Sequence, residues 1–222
     1  VMWTTLRISI LVTLLSIVLA FPVAHYAAGA QPFVRNVIFA VVLVPFWTSL
    51  LVRVYGWTFI LQRTGVVNES LLQLGLIDRP LKLLYTEGAV VLGITHYMAP
   101  FMIISIYVAL RAIDPRLISA AATMGAKPFR IFRTITVPLA APGIVAGSIL
   151  VFVGSIGFFV TPALMGSPSE MMMANLITFQ VKEALNWPRA SALATALVFA
   201  VAVLGALYFS LTGRTNGKAE PP

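Results

Sequence analysis

The chain has 222 residues, of which 59% are apolar and only 10% charged, against about 25% charged in an ordinary soluble domain; a mean hydropathy of +0.96 excludes a soluble enzyme, a disordered tail and a coiled coil, and leaves an integral membrane protein. It has no cysteine, and therefore no disulfide, thiolate metal site or cysteine nucleophile. The net charge of +8 comes from scattered Lys and Arg rather than a dense basic stripe, which argues against a nucleic-acid partner and for membrane topology and contact with lipid headgroups.

About 20 apolar residues cross a bilayer as a helix. Five stretches reach that length: 8–28, 37–61, 88–110, 139–161 and 190–211. The runs are continuous rather than alternating with period two. One all-α, polytopic membrane domain over 1–222 is therefore expected, not a barrel. The first run is too long for a signal peptide and has no small-residue cleavage site after it.

The connections differ in kind. Residues 29–36 form a short hairpin turn containing Gly29 and Pro32. In the polar segment 62–87, Asn68 is expected to cap a short helix that ends near Gly75. Residues 162–189 open on a turn with Pro162, Gly166 and Pro168. They continue as an amphipathic helix over 169–185, whose apolar face includes Met171, Met172 and Met173. It reads as a helix at the outer interface or as a plug for an outer gate, and a lipid-facing helix would carry the same pattern. The tail after Gly213 is expected to be disordered.

Orientation follows from the basic residues Arg111, Arg116, Lys127, Arg130 and Arg133, which place the 111–138 loop in the cytoplasm. Alternation of the spans then puts Val1 outside with no earlier span to carry it there. A preceding N-terminal span is therefore expected to be missing from this chain.

The 111–138 loop is the most informative segment. Asp114 suits an N-cap and Pro115 the first helical position. Gly125 can adopt the left-handed conformation that stops a helix, so a helix over 115–124 is expected. Pro128 opens a second short helix, which Pro138 is expected to end. Leu117, Ala120, Ala121 and Met124 fall at i, i+3, i+4 and i+7 and form one apolar stripe, with Arg116 and Thr123 on other faces. The pattern alone fits two readings equally well: a helix seated in a groove of another protein, or an interfacial helix lying on lipid.

Ser119-Ala120-Ala121, then Gly125, then Ile135-x-Val137-Pro138 resembles the loop signature of ABC-importer permeases, the inner-membrane subunits of binding-protein-dependent transport systems. Ser119 stands where the family has Glu, and Val137 where it has Leu. The spermidine/putrescine subfamily is resembled further by Pro45-Phe46-Trp47-Thr48-Ser49, Arg53-Val54-Tyr55-Gly56-Trp57, Gly65-Val66-Val67-Asn68, Phe159-Val160-Thr161-Pro162 and Asn186-Trp187-Pro188. The resemblance implies the type I ABC-importer permease fold, with this chain matching the last five of six spans. It implies location in the bacterial inner membrane and a polyamine or similar small solute as cargo. The implied partners are an ABC ATPase dimer that holds ATP and Mg, a second homologous permease subunit and a periplasmic or extracellular solute-binding protein. The 115–134 knob would sit in a cleft of the ATPase and turn its closure into tilting of the spans.

No acid lies in the middle of any span, so a cationic cargo would have to lean on aromatic faces. Trp47, Tyr55, Trp57, Tyr97, Tyr107, Phe158 and Phe159 are the candidates for the path; the alternative for Tyr55 and Trp57 is an interfacial belt. Arg53 either snorkels to the outer headgroups or pairs with Glu87 or a partner subunit. His96 reads as a helix-contact residue, and with His25 alone beside it a metal site is not expected. Pro45, Pro100 and Pro162 can kink their helices. The stretch Gly213–Ala219 lacks the spacing and the Ser/Thr of a phosphate loop, so ATP hydrolysis is not expected in this chain and no catalytic residue is assigned. A stand-alone secondary transporter would show inverted repeats and mid-span ion ligands; neither is present. A scaffold subunit would need no such cytoplasmic knob.

Overall fold

The computed structural model describes the backbone of residues 1–216; residues 217–222, and the side chains of residue 204 and of 207 onward, lie outside the described residues. In chain order the helices are α1 (Met2–Gly29), α2 (Pro32–Leu43), α3 (Leu50–Leu61), α4 (Val66–Gln73), α5 (Glu87–Arg111), α6 (Pro115–Thr123), α7 (Pro128–Ile131), α8 (Val137–Ile156), α9 (Val160–Met165), α10 (Met173–Lys182) and α11 (Trp187–Asn216). Among the described residues three helices are long and apolar enough to cross a membrane, Met2–Gly29, Glu87–Arg111 and Pro128–Ile156, with the bent pair Pro32–Trp47 and Leu50–Gln73 a fourth if counted as one span.

These three form the core. Ile8, Val12, Ala20 and Ala24 of α1 pack with Val90, Ile94, Met102 and Ile106 of α5 and with Ala140 and Val151 of α8. Close approach of α5 and α8 depends on glycine. A Cβ on Gly143 would run into Ala109 and meet the Ser105 carbonyl oxygen at 2.6 Å, and one on Gly147 would meet Met102 Sδ at 2.7 Å. Small residues four apart let two backbones close up where lipid supplies no hydrophobic drive between helices. At one end of α5 the Thr86 hydroxyl accepts the Ala89 N–H at 3.3 Å, a side-chain N-cap for the first turn. Beside it, Glu87 binds Arg7 of α1 with N···O distances of 2.8 and 2.9 Å.

The second apolar run is not one straight helix. α2 passes into a 3₁₀ turn at Val44–Trp47, the chain extends at Thr48 and Ser49, and α3 leaves at 102°. Pro45 cannot donate a backbone hydrogen bond, and the Thr48 hydroxyl captures the Pro45 carbonyl at 2.7 Å. Together they end the ladder that hydropathy alone would continue. α2 buries no residue, whereas α3 packs with α9 through Val54, Leu61 and Met165. Pro100, by contrast, is buried inside an unbroken α5. There α5 runs on as one helix between α1 and α8, on which it packs.

Three further expectations change. Pro138 does not end the second loop helix, because α7, a π turn over Phe132–Thr136 and α8 run on as one helix, Pro128–Ile156. The π turn sends the Val137 N–H to the Phe132 carbonyl and widens the helix where the Pro138 ring would otherwise clash. The 139–161 run likewise breaks at Gly157, with α9 as a separate helix. Asn68 is not a cap. Gly65 holds that position, and Asn68 lies inside α4, wholly buried, donating to the Gln62 and Leu81 carbonyls at 3.1 Å and accepting the Leu81 N–H at 2.8 Å. It ties the 62–87 segment together. The expected end at Gly75 is observed, with φ +67° and the Leu76 N–H returning to the Leu71 carbonyl.

The 169–185 stretch is a 3₁₀ turn at Pro168–Glu170 followed by α10. Met172 and Met173 are buried rather than lipid-facing. α11 packs on α10 and leaves Val198 and Phe199 exposed. It extends through Arg214–Asn216, where the tail was expected to be disordered. The rest of that tail, and the end of the Gly213–Ala219 stretch, lie outside the described residues.

Candidate functional site

The 111–138 loop is built as its local chemistry dictates. Asp114 accepts the Arg116 N–H at 2.9 Å and opens α6 with Pro115 in its first turn. Gly125, at φ +80°, closes it: the Gly125 N–H returns to the Ala122 carbonyl and the Ala126 N–H to the Ala121 carbonyl, both at 3.0 Å. That pair of bonds is the Schellman stop, which needs a left-handed residue. Ser119 and Thr123 turn their hydroxyls back onto the Pro115 and Ala120 carbonyls. At position 119 this helix therefore presents a hydroxyl turned onto its own backbone and no charge.

No residue of α6 is buried. Leu117, Ala120 and Arg116 are exposed, Ala121 is half-buried, and Met124 is 87% exposed. Ile118 and Phe129 add two exposed apolar side chains outside the expected stripe. Their signal, an isolated apolar residue beside a stripe and one after a helix-opening Pro128, is too weak to single them out. Ile135 lies half-buried in the π turn and Pro138 exposed at the start of α8. Beneath α6 a cavity of about 490 Å³ runs between the ends of α1 and α5, with His25, Arg111, Ile118 and Thr136 on its walls. The helix thus stands off the bundle, held by its two ends. His25 stacks edge-on against Phe132 at 5.7 Å, joining α1 to the π turn, a link with no sequence signal.

Of the path candidates, the fold brings together Tyr97 and Phe158, with ring centroids 5.1 Å apart. Phe46 joins them at 5.7 Å from Tyr97, and Phe101 lies 5.1 Å from Phe46. The bend before α3 carries Arg53 onto this cluster, 4.8 Å from the Tyr97 ring and 5.9 Å from Phe46. Arg53 therefore lies against these rings and does not pair with Glu87, which Arg7 holds. The other candidates lie apart. Trp57 donates to His96 Nδ1 at 3.0 Å, Tyr107 packs on Phe39 at 4.7 Å, Tyr55 and Phe159 are exposed, and Trp47 is 91% exposed. Among the described residues no group of three His, Asp or Glu is placed to hold a metal ion.

The family model for the inner-membrane component of binding-protein-dependent transport systems matches residues 5–218. The chain belongs to that family. This permease is 33% identical over 220 residues to the spermidine/putrescine transport system permease protein PotB of Haemophilus influenzae, covering 99% of this chain and 77% of that protein. It is 33% identical to PotB of Escherichia coli, over 97% of this chain and 78% of the relative. It is 30% identical to the molybdenum transport system permease protein ModB of Azotobacter vinelandii, over 93% and 91%. Among solved structures, a bacterial alginate ABC transporter in complex with an alginate pentasaccharide-bound periplasmic protein superposes with a TM-score of 0.81 at 19% identity, covering 97% of this chain and 78% of that one. The MetNI methionine ABC transporter in an inward-facing conformation superposes at 0.69 with 18% identity, over 94% and 91%. The permease is thus a helical inner-membrane component with the ABC-importer permease fold, and its relatives are transport permeases.

Proposed function

We propose that this permease passes a polyamine such as putrescine or spermidine, delivered by a solute-binding protein, and that loop 111–138 couples its movement to a separate ATPase. The observation that carries the reading is α6 itself. It is stopped at both ends by local hydrogen bonds and leaves Leu117 and Met124 exposed. An exposed apolar face on a rigid, two-point mount suits insertion into another protein's cleft and transmission of force to α5 and α8. In this reading Leu117, Ala120, Ala121 and Met124 meet the ATPase surface, Arg116 and Ser119 supply its polar contacts, and Gly125, Ile135 and Pro138 set the angle at which α6 joins the span.

ATP and Mg belong to the ATPase dimer, which supplies the energy. The second, homologous permease covers α2, whose apolar side chains this chain leaves unburied. The binding protein docks over the 62–87 and 162–189 segments. The polyamine reading draws on the PotB relatives and on the aromatic cluster at Tyr97 and Phe158, since ammonium groups are attracted to ring faces. Replacing the loop rather than altering the path gives a direct test. The ATPase should co-purify with the wild-type chain and be lost when 115–134 is replaced by a flexible linker. Proteoliposomes of the complete importer should take up labelled putrescine or spermidine only with the binding protein and ATP present. Retention of the ATPase by the linker variant would refute the coupling role.

A further inference from the structure

Arg53 is a charged residue in an unusual position. At 1.5 Å per residue, Tyr97 lies about 15 Å along α5 from Glu87, well away from the end of the helix, and Arg53 is folded onto its ring. Charges at such depth are normally paired with an acid or with backbone oxygens. Among the described residues Arg53 makes no ion pair with an acid, and Glu87 is taken by Arg7. Arg53 Nη2 donates to the Thr48 carbonyl at 3.1 Å, while Nε is buried with no acceptor. What holds the guanidinium is mainly the faces of Tyr97 and Phe46.

That is the environment a cationic solute needs, and it already contains a cation. We propose that Arg53 is a built-in placeholder: its guanidinium occupies the Tyr97–Phe46 aromatic site in the resting permease, and an ammonium group of the cargo must displace it to pass. The proposal rests on the polyamine reading above. Two cations cannot share one pair of ring faces, because they repel each other where no acid screens them. Arg53 is also free to leave. It sits in the first turn of α3, directly after the 102° bend, and its Nε–H, buried here without an acceptor, gains a partner once it swings out. Holding the site with the protein's own charge keeps it from smaller cations until a cargo with more than one ammonium competes.

The test is equilibrium binding of labelled putrescine to the purified permease–ATPase complex without the binding protein, beside uptake by the wild-type importer in proteoliposomes. Arg53→Gln should lower Kd about 2- to 30-fold, the factor that one cation–π contact is worth. Arg53→Lys, which keeps a cation at the rings, should stay near wild type, and Tyr97→Leu should raise Kd. Binding that becomes detectable only in Arg53→Gln would also support the placeholder. An unchanged or weakened Kd in Arg53→Gln, or no detectable binding to any variant, overturns it. If Arg53→Gln fails to assemble, Arg53→Met keeps the aliphatic stem without the charge and carries the same expectation; failure of both to assemble makes Arg53 a folding residue and overturns the proposal. A wild-type importer that takes up no polyamine removes the cargo reading and this proposal together. Polyamine uptake with an unaltered Arg53→Gln Kd removes this proposal alone.

Discussion

The Met173 backbone N–H donates to the Thr5 hydroxyl at 2.8 Å, joining α10 to α1 across 168 positions of sequence. Both residues are buried, and the Thr5 hydroxyl itself donates to the Val1 carbonyl at 3.0 Å. The bond pins the start of α10 to the core and sets where Met172 is buried. Thr5→Val keeps the shape and removes the acceptor, leaving a buried N–H unpaired at a cost of about 1–3 kcal/mol. The expected outcome is a lower midpoint of thermal unfolding in detergent and faster protease cleavage between α10 and α11, with Thr5→Ser near wild type.

Gly143 is the tightest point between α5 and α8, where any Cβ meets Ala109 and the Ser105 backbone. Gly143→Leu forces the two spans apart and should reduce the folded yield severely, since overpacking costs about 1–3 kcal/mol or more where the neighbour is backbone. Gly147→Ala should be milder, because its Cβ would meet the flexible Met102 thioether. Size-exclusion profiles of the solubilised variants check the order.

In loop 111–138, Gly125→Val places a β-branched residue at φ +80°, a conformation costing about 1–2 kcal/mol for any L side chain and more for a branched one. It should splay the end of α6. Ala120→Trp adds bulk to the proposed contact face without touching the bundle. Both variants should insert and fold, lose ATP-dependent uptake by at least tenfold, and retain less ATPase on purification. Full uptake in both would contradict the coupling role.

The 166–172 turn carries a pH response. Burial pushes the Glu170 carboxyl up, but hydrogen bonds from the Ser167 hydroxyl and N–H and from the Ser169 hydroxyl outweigh it, so its pKa is lowered. A lowered folded pKa means the carboxylate's contribution is complete above the ordinary glutamate value, about 4.3, and is lost as pH falls through the folded value. The protection of the Met171 and Met172 amides, relative to their intrinsic exchange rates, should therefore fall as pH drops below the ordinary glutamate value. In Glu170→Gln that step should be absent.

Some of this was legible along the chain. The spans at 8–28 and 88–110, the Asp114 cap, the Gly125 stop and the end of α4 at Gly75 all depend on residues within a turn or two of one another: hydropathy, a side-chain acceptor, a left-handed glycine. The loop signature, at Ala120, Ala121, Gly125 and Pro138, was readable for the same reason. Gly143 and Gly147 carry the small-residue spacing of a close helix contact, which only a partner helix gives meaning.

Amino-acid order alone thus determined that this is an all-helical membrane protein with a capped, apolar loop between two spans, because those features are decided by local backbone chemistry and by transfer from water to lipid. Tertiary structure decided what lies beside what. It broke the second apolar run at Thr48 and Ser49, turned Asn68 from a cap into a clamp, gave Glu87 to Arg7, and carried Arg53 onto Tyr97. Each of those outcomes depends on which face of one helix meets another. Helix packing sets that choice through contacts between residues tens of positions apart, to which composition and periodicity are blind.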